Sequence, residues 1–183
     1  MLYTPEYQEQ CRLLHESRPT WGRSARFLGV DALLDYCAEE KTQDILDYGC
    51  GKGERQKLLP FPIKEYDPAI AGKENGNVPA DIVCCWDVLE HIEPECLKDV
   101  LEDLWRCTKR LGVFVIATGP AKKFLPDGRN AHLIQQPMSW WLERLEVFFH
   151  VLGKAERPGE GKHYADFHCI VAPKKEVGLA QIH

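Results

Sequence analysis

Two short stretches of this chain combine glycine and acid in a pattern that suits a nucleoside ligand. Residues Ile45 to Gly53 read Ile-Leu-Asp-Tyr-Gly-Cys-Gly-Lys-Gly, and Asp67 stands twenty positions after Asp47. Glycine adopts backbone angles that other residues resist and lets the main chain press against a bound molecule. An acidic residue about twenty positions on takes two ribose hydroxyls in a nucleotide-binding βαβ unit. Each signal alone has a plainer reading, Gly49-x-Gly51-x-Gly53 as a strand-to-helix turn and Asp67 before Pro68 as a turn initiator. In this order they predict a cofactor site.

The spacing discriminates between cofactors. A dinucleotide fingerprint requires a third small residue where this chain has Glu54. A carboxylate at a helix start repels a pyrophosphate. S-adenosylmethionine carries no phosphate, and its amino-acid end and sulfonium suit an acid-lined glycine loop. It is the expected cofactor, and NAD is not.

Asp47-x-Gly49-x-Gly51-x-Gly53 resembles the first motif of class I S-adenosylmethionine-dependent methyltransferases. Asp81-Ile-Val-Cys-Cys-Trp-Asp87-Val-Leu-Glu-His91-Ile resembles their fourth strand and the segment after it. The resemblance runs from about residue 44 to 117 and more loosely to 172. It implies an α/β fold, a three-layer Rossmann-like sheet that is mostly parallel and ends in an antiparallel hairpin. It also implies that Asp47, Tyr48, Gly49, Cys50 and Gly51 approach the cofactor, that Asp67 and Pro68 meet its ribose, and that Trp86, Asp87 and Val88 border its adenine or methionine. In this family the amino-terminal segment often covers the cofactor as a lid, here residues 1–43, with Arg23 or Arg12 offering a forked partner to the cofactor carboxylate. One departure stands out. Thirteen residues, rich in Gly and Pro, separate Asp67 from Asp81 where the family fits a helix, a strand and another helix. The third strand is therefore expected to be reduced or missing.

Methyl transfer is an in-line displacement that depends on aligning donor and acceptor. A general base helps when the acceptor is a hydroxyl, and histidine suits that work near neutral pH. Thr118 to Gln136 is a long polar segment leaving the last parallel strand, on the side where open α/β sheets bind ligands. His132 is its candidate base, with Arg129, Asn130 and His91 on the acceptor side; the plainer reading of His132 is a histidine satisfying loop backbone groups. Asp87-x-x-Glu90-His91 with His132 resembles the set that holds a divalent metal in ubiquinone-type O-methyltransferases and small-RNA terminal methyltransferases. Those families carry Glu where this chain has Asp87, and no metal is expected.

The elements that must position these residues follow from periodicity. Thr4-Pro5 starts a helix with Tyr7, Cys11 and Leu14 on one face, and Val30, Leu33, Leu34 and Cys37 mark a second. Strands are expected at 44–48, 63–66, 81–86 and 113–117, a helix from about Pro94 to Arg110, and a helix at Trp141 to Phe149 capped by Ser139. Two final strands, 151–155 and 164–172, form the hairpin, and Lys174 to His183 reads as a frayed tail. The chain has 183 residues, 44% of them hydrophobic, enough for one domain with one core. A net charge of −5 disfavours a long nucleic-acid partner, so a small-molecule acceptor is preferred. No membrane-length apolar run is present, and the eight cysteines show neither C-x-x-C nor zinc spacing, which suits reduced thiols in the cytoplasm.

Overall fold

A computed structural model of the chain describes residues 1–22, 30–159 and 165–177. Arg23 lies outside the described residues. The strands β1 (Ile45–Tyr48), β2 (Lys64–Tyr66), β3 (Ala80–Trp86), β4 (Thr108–Ala117), β5 (Phe149–Arg157) and β6 (Asp166–Pro173) form one six-stranded sheet in the order β2-β1-β3-β4-β6-β5. The first four run parallel to one another, and β6 pairs antiparallel with both β4 and β5. Four α-helices accompany them among the described residues: α1 (Pro5–Ser17), α2 (Val30–Glu40), α3 (Leu97–Cys107) and α4 (Met138–Phe148).

Strand residues alternate between two cores, as a sheet covered on both faces requires. Leu46, Tyr48, Val83 and Cys85 pack with Leu97, Val100, Leu101 and Leu104 of α3 and with Trp141 and Leu145 of α4. Ile45, Ile82, Cys84 and Trp86 point to the opposite face, against Leu33 and Cys37 of α2. The result is the expected three-layer arrangement.

Residues 67–79 contain no strand or helix, so the reduction expected after Asp67 is complete. The segment folds back along β2: a Cβ on Gly76 would meet the Glu65 carbonyl oxygen at 2.0 Å. After the glycine loop the first helix is only a single 3-10 turn, Gln56–Leu58.

Several boundaries differ from the sequence reading. The helix expected to reach Arg110 stops at Cys107, because Thr108 takes extended angles and its hydroxyl donates to the Leu104 carbonyl at 2.7 Å. Strand β4 therefore starts five residues before Val113. Ser139 caps nothing; Pro137 precedes α4, and its carbonyl accepts from Trp140 N–H at 3.0 Å. The expected tail is tied down where it begins, since Lys174 N–H donates to the Phe148 carbonyl at 3.0 Å and its own carbonyl accepts from the Trp105 indole at 2.9 Å. No helix among the described residues is long and apolar enough to cross a membrane.

Helix α1 lies across the carboxyl ends of the parallel strands. Thr4 caps it, its hydroxyl accepting from Tyr7 N–H at 3.2 Å, while the same residue's N–H and hydroxyl donate to the Glu93 carboxylate, each at 2.9 Å. Tyr7 donates to the His91 carbonyl at 2.6 Å, and the Gln8 amide donates to the Pro68 carbonyl at 2.7 Å. Beneath it, Tyr7, Leu14 and Trp21 form a third apolar cluster with Leu125 and Ala131 of the polar loop.

Candidate active site

The loops after β1, β2, β3 and β4 meet under α1 around a cavity of about 360 Å³. Asp47, Tyr48, Gly49, Cys50, Gly51, Asp67, Pro68, Trp86, Asp87 and Val88 all border it, as do His91 and His132. Gly49 and Gly51 hold left-handed backbone angles, φ 73° and 52°. Their missing side chains make room for protein as much as for a ligand. A Cβ on Gly49 would meet Val88 Cγ2 at 2.4 Å, and one on Gly51 would meet the Gly22 carbonyl oxygen at 2.3 Å. The glycine loop thus admits the segment that follows α1.

Asp67 is buried and organises that loop. One carboxylate oxygen accepts from Gly51 N–H and the other from Ala69 N–H, each at 2.9 Å. A carboxylate has about four acceptor positions. Two remain on a group that borders the cavity, a fit to paired hydroxyls. Burial pushes the Cys50 thiol up to about 12, so it stays protonated and unreactive.

Asp47 is fully buried at the end of β1 and forms an ion pair with Arg55, itself buried, whose guanidinium lies 4.3 Å from the centre of the Trp86 ring. Sequence reading missed Arg55. A signal was present, because a carboxylate inside the apolar run Ile45-Leu46-Asp47 requires a cation, and Arg55 follows the same loop. Arg12 does not serve the cavity; it pairs with Glu9 and Glu16 on the outer face of α1.

His91 and His132 stack edge to face with ring centres 4.8 Å apart. The Ala131 carbonyl lies 2.7 Å from His91 Nδ1, and the Gly119 carbonyl lies 2.6 Å from His132 Nδ1. A carbonyl only accepts, so both Nδ1 atoms carry the proton and both Nε2 atoms are acceptors. His132 is therefore a loop-satisfying histidine and a cavity residue at once. Asn130 does not reach the cavity; its side-chain oxygen accepts from the Ala121 and His132 N–H groups, each at 2.9 Å, which fixes the His132 backbone. Arg129 is also placed elsewhere, exposed and paired with Asp127 at 2.8 Å. An isolated antiparallel bridge between Phe124 and Asn130 closes this stretch on itself.

Glu90, His91 and His132 each offer one ligand atom, all within 4.8 Å of one another. A carboxylate with two imidazoles suits a divalent first-row ion or magnesium. Asp87 is not in this group; its backbone takes a left-handed φ of 55° and its N–H donates to the Val115 carbonyl.

Desolvation and the neighbouring His132 push the His91 imidazolium down to about 3. Unfolded histidine titrates near about 6.5, so the unfolded chain binds the extra proton first. The contribution is complete above that value and is lost as pH falls from about 6.5 towards 3. Acid should lower the thermal midpoint of the wild type more steeply than that of His91→Gln, by at most about 1.4 kcal/mol per pH unit. Parallel curves for the two proteins would contradict this.

Comparison with known proteins decides what this arrangement belongs to. A family model described as a methyltransferase domain matches residues 22–154. The chain belongs to the methyltransferase domain family. It is an S-adenosylmethionine-dependent methyltransferase of class I, and S-adenosylmethionine is its cofactor. Solved structures share the fold at low identity. The methyltransferase resembles the 1,6-didemethyltoxoflavin N1-methyltransferase of Burkholderia thailandensis, solved with 1,6-didemethyltoxoflavin and S-adenosylhomocysteine, at 16% identity and a TM-score of 0.67 over 95% of this chain and 92% of that one. It also resembles the N-methyltransferase NodS of Bradyrhizobium japonicum in complex with S-adenosylhomocysteine, at 10% identity and a TM-score of 0.62 over 92% and 99% of the two chains. A third is the magnesium protoporphyrin IX methyltransferase of Synechocystis, with S-adenosylhomocysteine bound, at 13% identity and a TM-score of 0.52 over 92% and 97%. A search of curated proteins finds no match.

Proposed function

We propose that this methyltransferase acts on a nitrogen or oxygen of a small molecule, held between α1 and the His91–His132 pair. S-adenosylmethionine supplies an activated methyl on sulfur. The chain's own residues do the rest. Asp67 and the glycine loop seat the nucleoside, Trp86 to Val88 border it, and α1 with the segment to Gly22 acts as the lid that excludes water; α2, the other helix of the amino-terminal segment, packs on the sheet face instead. His91 stays neutral and accepts a hydrogen bond from the acceptor, and His132 Nε2 takes the proton as the acceptor attacks.

The observation that carries this reading is enclosure: α1 is tied to Glu93, His91 and Pro68 over a cavity of about 360 Å³, a size for a cofactor and a small partner. The cationic cluster that a nucleic acid would need is engaged elsewhere. Lys123 donates to the Thr20 carbonyl at 3.2 Å and lies 5.3 Å from the Trp21 ring, and Arg129 pairs with Asp127. The structural neighbours named for 1,6-didemethyltoxoflavin and for magnesium protoporphyrin IX also favour a small acceptor. A non-catalytic cofactor-binding role leaves the paired imidazoles without a task.

A second reading rests on the Glu90–His91–His132 cluster: an ion held there would lower the pKa of an acceptor hydroxyl. One experiment separates the possibilities. Calorimetry with S-adenosylhomocysteine, and NAD as control, establishes an active cofactor site; methyl transfer is then followed with small phenols, small amines and single-stranded RNA at low and high salt, with and without chelator. Turnover of a small acceptor that ignores salt and chelator supports the base reading. Loss on chelation moves the assignment to the metal, and transfer to RNA that collapses in salt overturns the small-molecule proposal.

A further inference from the structure

We propose that Arg55 binds the carboxylate of the cofactor's amino-acid end, an inference that rests on the S-adenosylmethionine reading above. The amino-acid end is a zwitterion, so its pocket must supply a cation beside anions. Four carboxylates border the cavity, those of Asp47, Glu54, Asp67 and Asp87. Arg55 is the buried arginine among them, 9% exposed. Lys122 and Lys123 also border the cavity, but they are exposed side chains of the polar loop, and Lys123 reaches back to the Thr20 carbonyl.

Two contacts hold the guanidinium ready. Asp47 takes one of its nitrogens, and Trp86 covers one face at 4.3 Å. The indole is itself locked, its N–H donating to the Val113 carbonyl at 2.9 Å. Arginine has five N–H donors in a rigid fork that matches a carboxylate. Asp47 is Arg55's one ion-pair partner among the described residues, so donors remain on a group that borders the cavity.

The pair is poorly explained as a stabilising device alone. Burying two charges costs more than apolar packing of the same volume in many proteins. Here both side chains also stand on a cavity wall. Both oxygens of Asp47 are buried without a hydrogen bond among the described residues, and since Arg55 pairs with one of them, the other is an acceptor suited to the ligand's ammonium. Asp47 and Arg55 thus form adjacent halves of a zwitterion receptor on one side of the sheet, with Trp86 as its floor.

The test compares two ligands on the whole protein by calorimetry: S-adenosylhomocysteine, and its decarboxylated analogue in which hydrogen replaces the carboxylate. The wild type should bind S-adenosylhomocysteine about 10- to 100-fold more tightly, the usual scale of a charge-assisted pair. In Arg55→Met that preference should fall to near unity, because only the ligand with the carboxylate loses a partner. Arg55→Met leaves Asp47 buried without its cation, so the double variant Asp47→Asn/Arg55→Met is measured beside it. Any loss of ammonium binding there affects both ligands equally and leaves the ratio readable. A preference that survives both substitutions, or an equal weakening of both ligands, would mean that Arg55 only supports the fold. A wild type that binds both ligands equally also overturns the proposal while leaving the cofactor reading intact. A wild type that binds neither overturns both.

Discussion

His132→Ala is expected to lower kcat by about 10² to 10⁴-fold, the usual contribution of a general base, while S-adenosylhomocysteine binds as before. The separation follows from position. His132 lies in the polar loop after β4, with Nδ1 on the Gly119 carbonyl and its backbone fixed by Asn130, whereas Asp67 and the glycine loop stand at the ends of β1 and β2. His132→Asn sharpens the test, since an amide can still donate to the Gly119 carbonyl but cannot take a proton. Loss of turnover in both variants, with loss of the acidic limb of the pH–rate profile, identifies a base. Recovery of activity in His132→Asn would reduce the residue to a support for its loop.

Asp67→Ala should weaken S-adenosylhomocysteine binding by about 3 kcal/mol or more, roughly a hundredfold or greater in Kd. Two losses combine. The acceptors for the ribose hydroxyls disappear, and the Gly51 and Ala69 N–H groups lose the carboxylate that aims them. Asp67→Asn keeps one acceptor oxygen and should fall between. Calorimetry of the three proteins reads the effect directly, and wild-type affinity in Asp67→Ala would remove this residue from the cofactor site.

The parts of this molecule that were legible in its sequence are those where one local rule decides. The apolar run Asp81 to Trp86 can only be a buried strand, and Leu97, Val100, Leu101 and Leu104 repeat at the spacing of one helical face. Thr4 before Pro5 gives a capped helix start. The cavity residues Asp47, Gly49, Gly51, Asp67 and Trp86 to Val88 were legible because the chain order of a βαβ unit brings its loops together. Tyr7 and Trp21 were not, since their contacts run between elements far apart in sequence, whereas Arg55 carried a signal in the buried charge of nearby Asp47. Thr108 shows the other limit. A hydroxyl bonded to Leu104 ends α3 there, although the charges of Lys109 and Arg110 make the next residues look helical and exposed. Arg129 and Asn130 were placed on the acceptor side by loop polarity alone, which says nothing about which way a loop curls.

Two junctions in this fold have no connecting residues: α3 passes into β4 between Cys107 and Thr108, and α4 into β5 between Phe148 and Phe149. At the opposite end of the sheet the connections from β2 to β3 (67–79) and from β4 to α4 (118–137) are long. An insertion at either tight junction would shift a strand by one register and turn its whole apolar set to the wrong face. The connections at the other end, by contrast, can lengthen with little penalty. New acceptor specificities can therefore be grafted onto this scaffold from one end only, the end that already carries the chemistry.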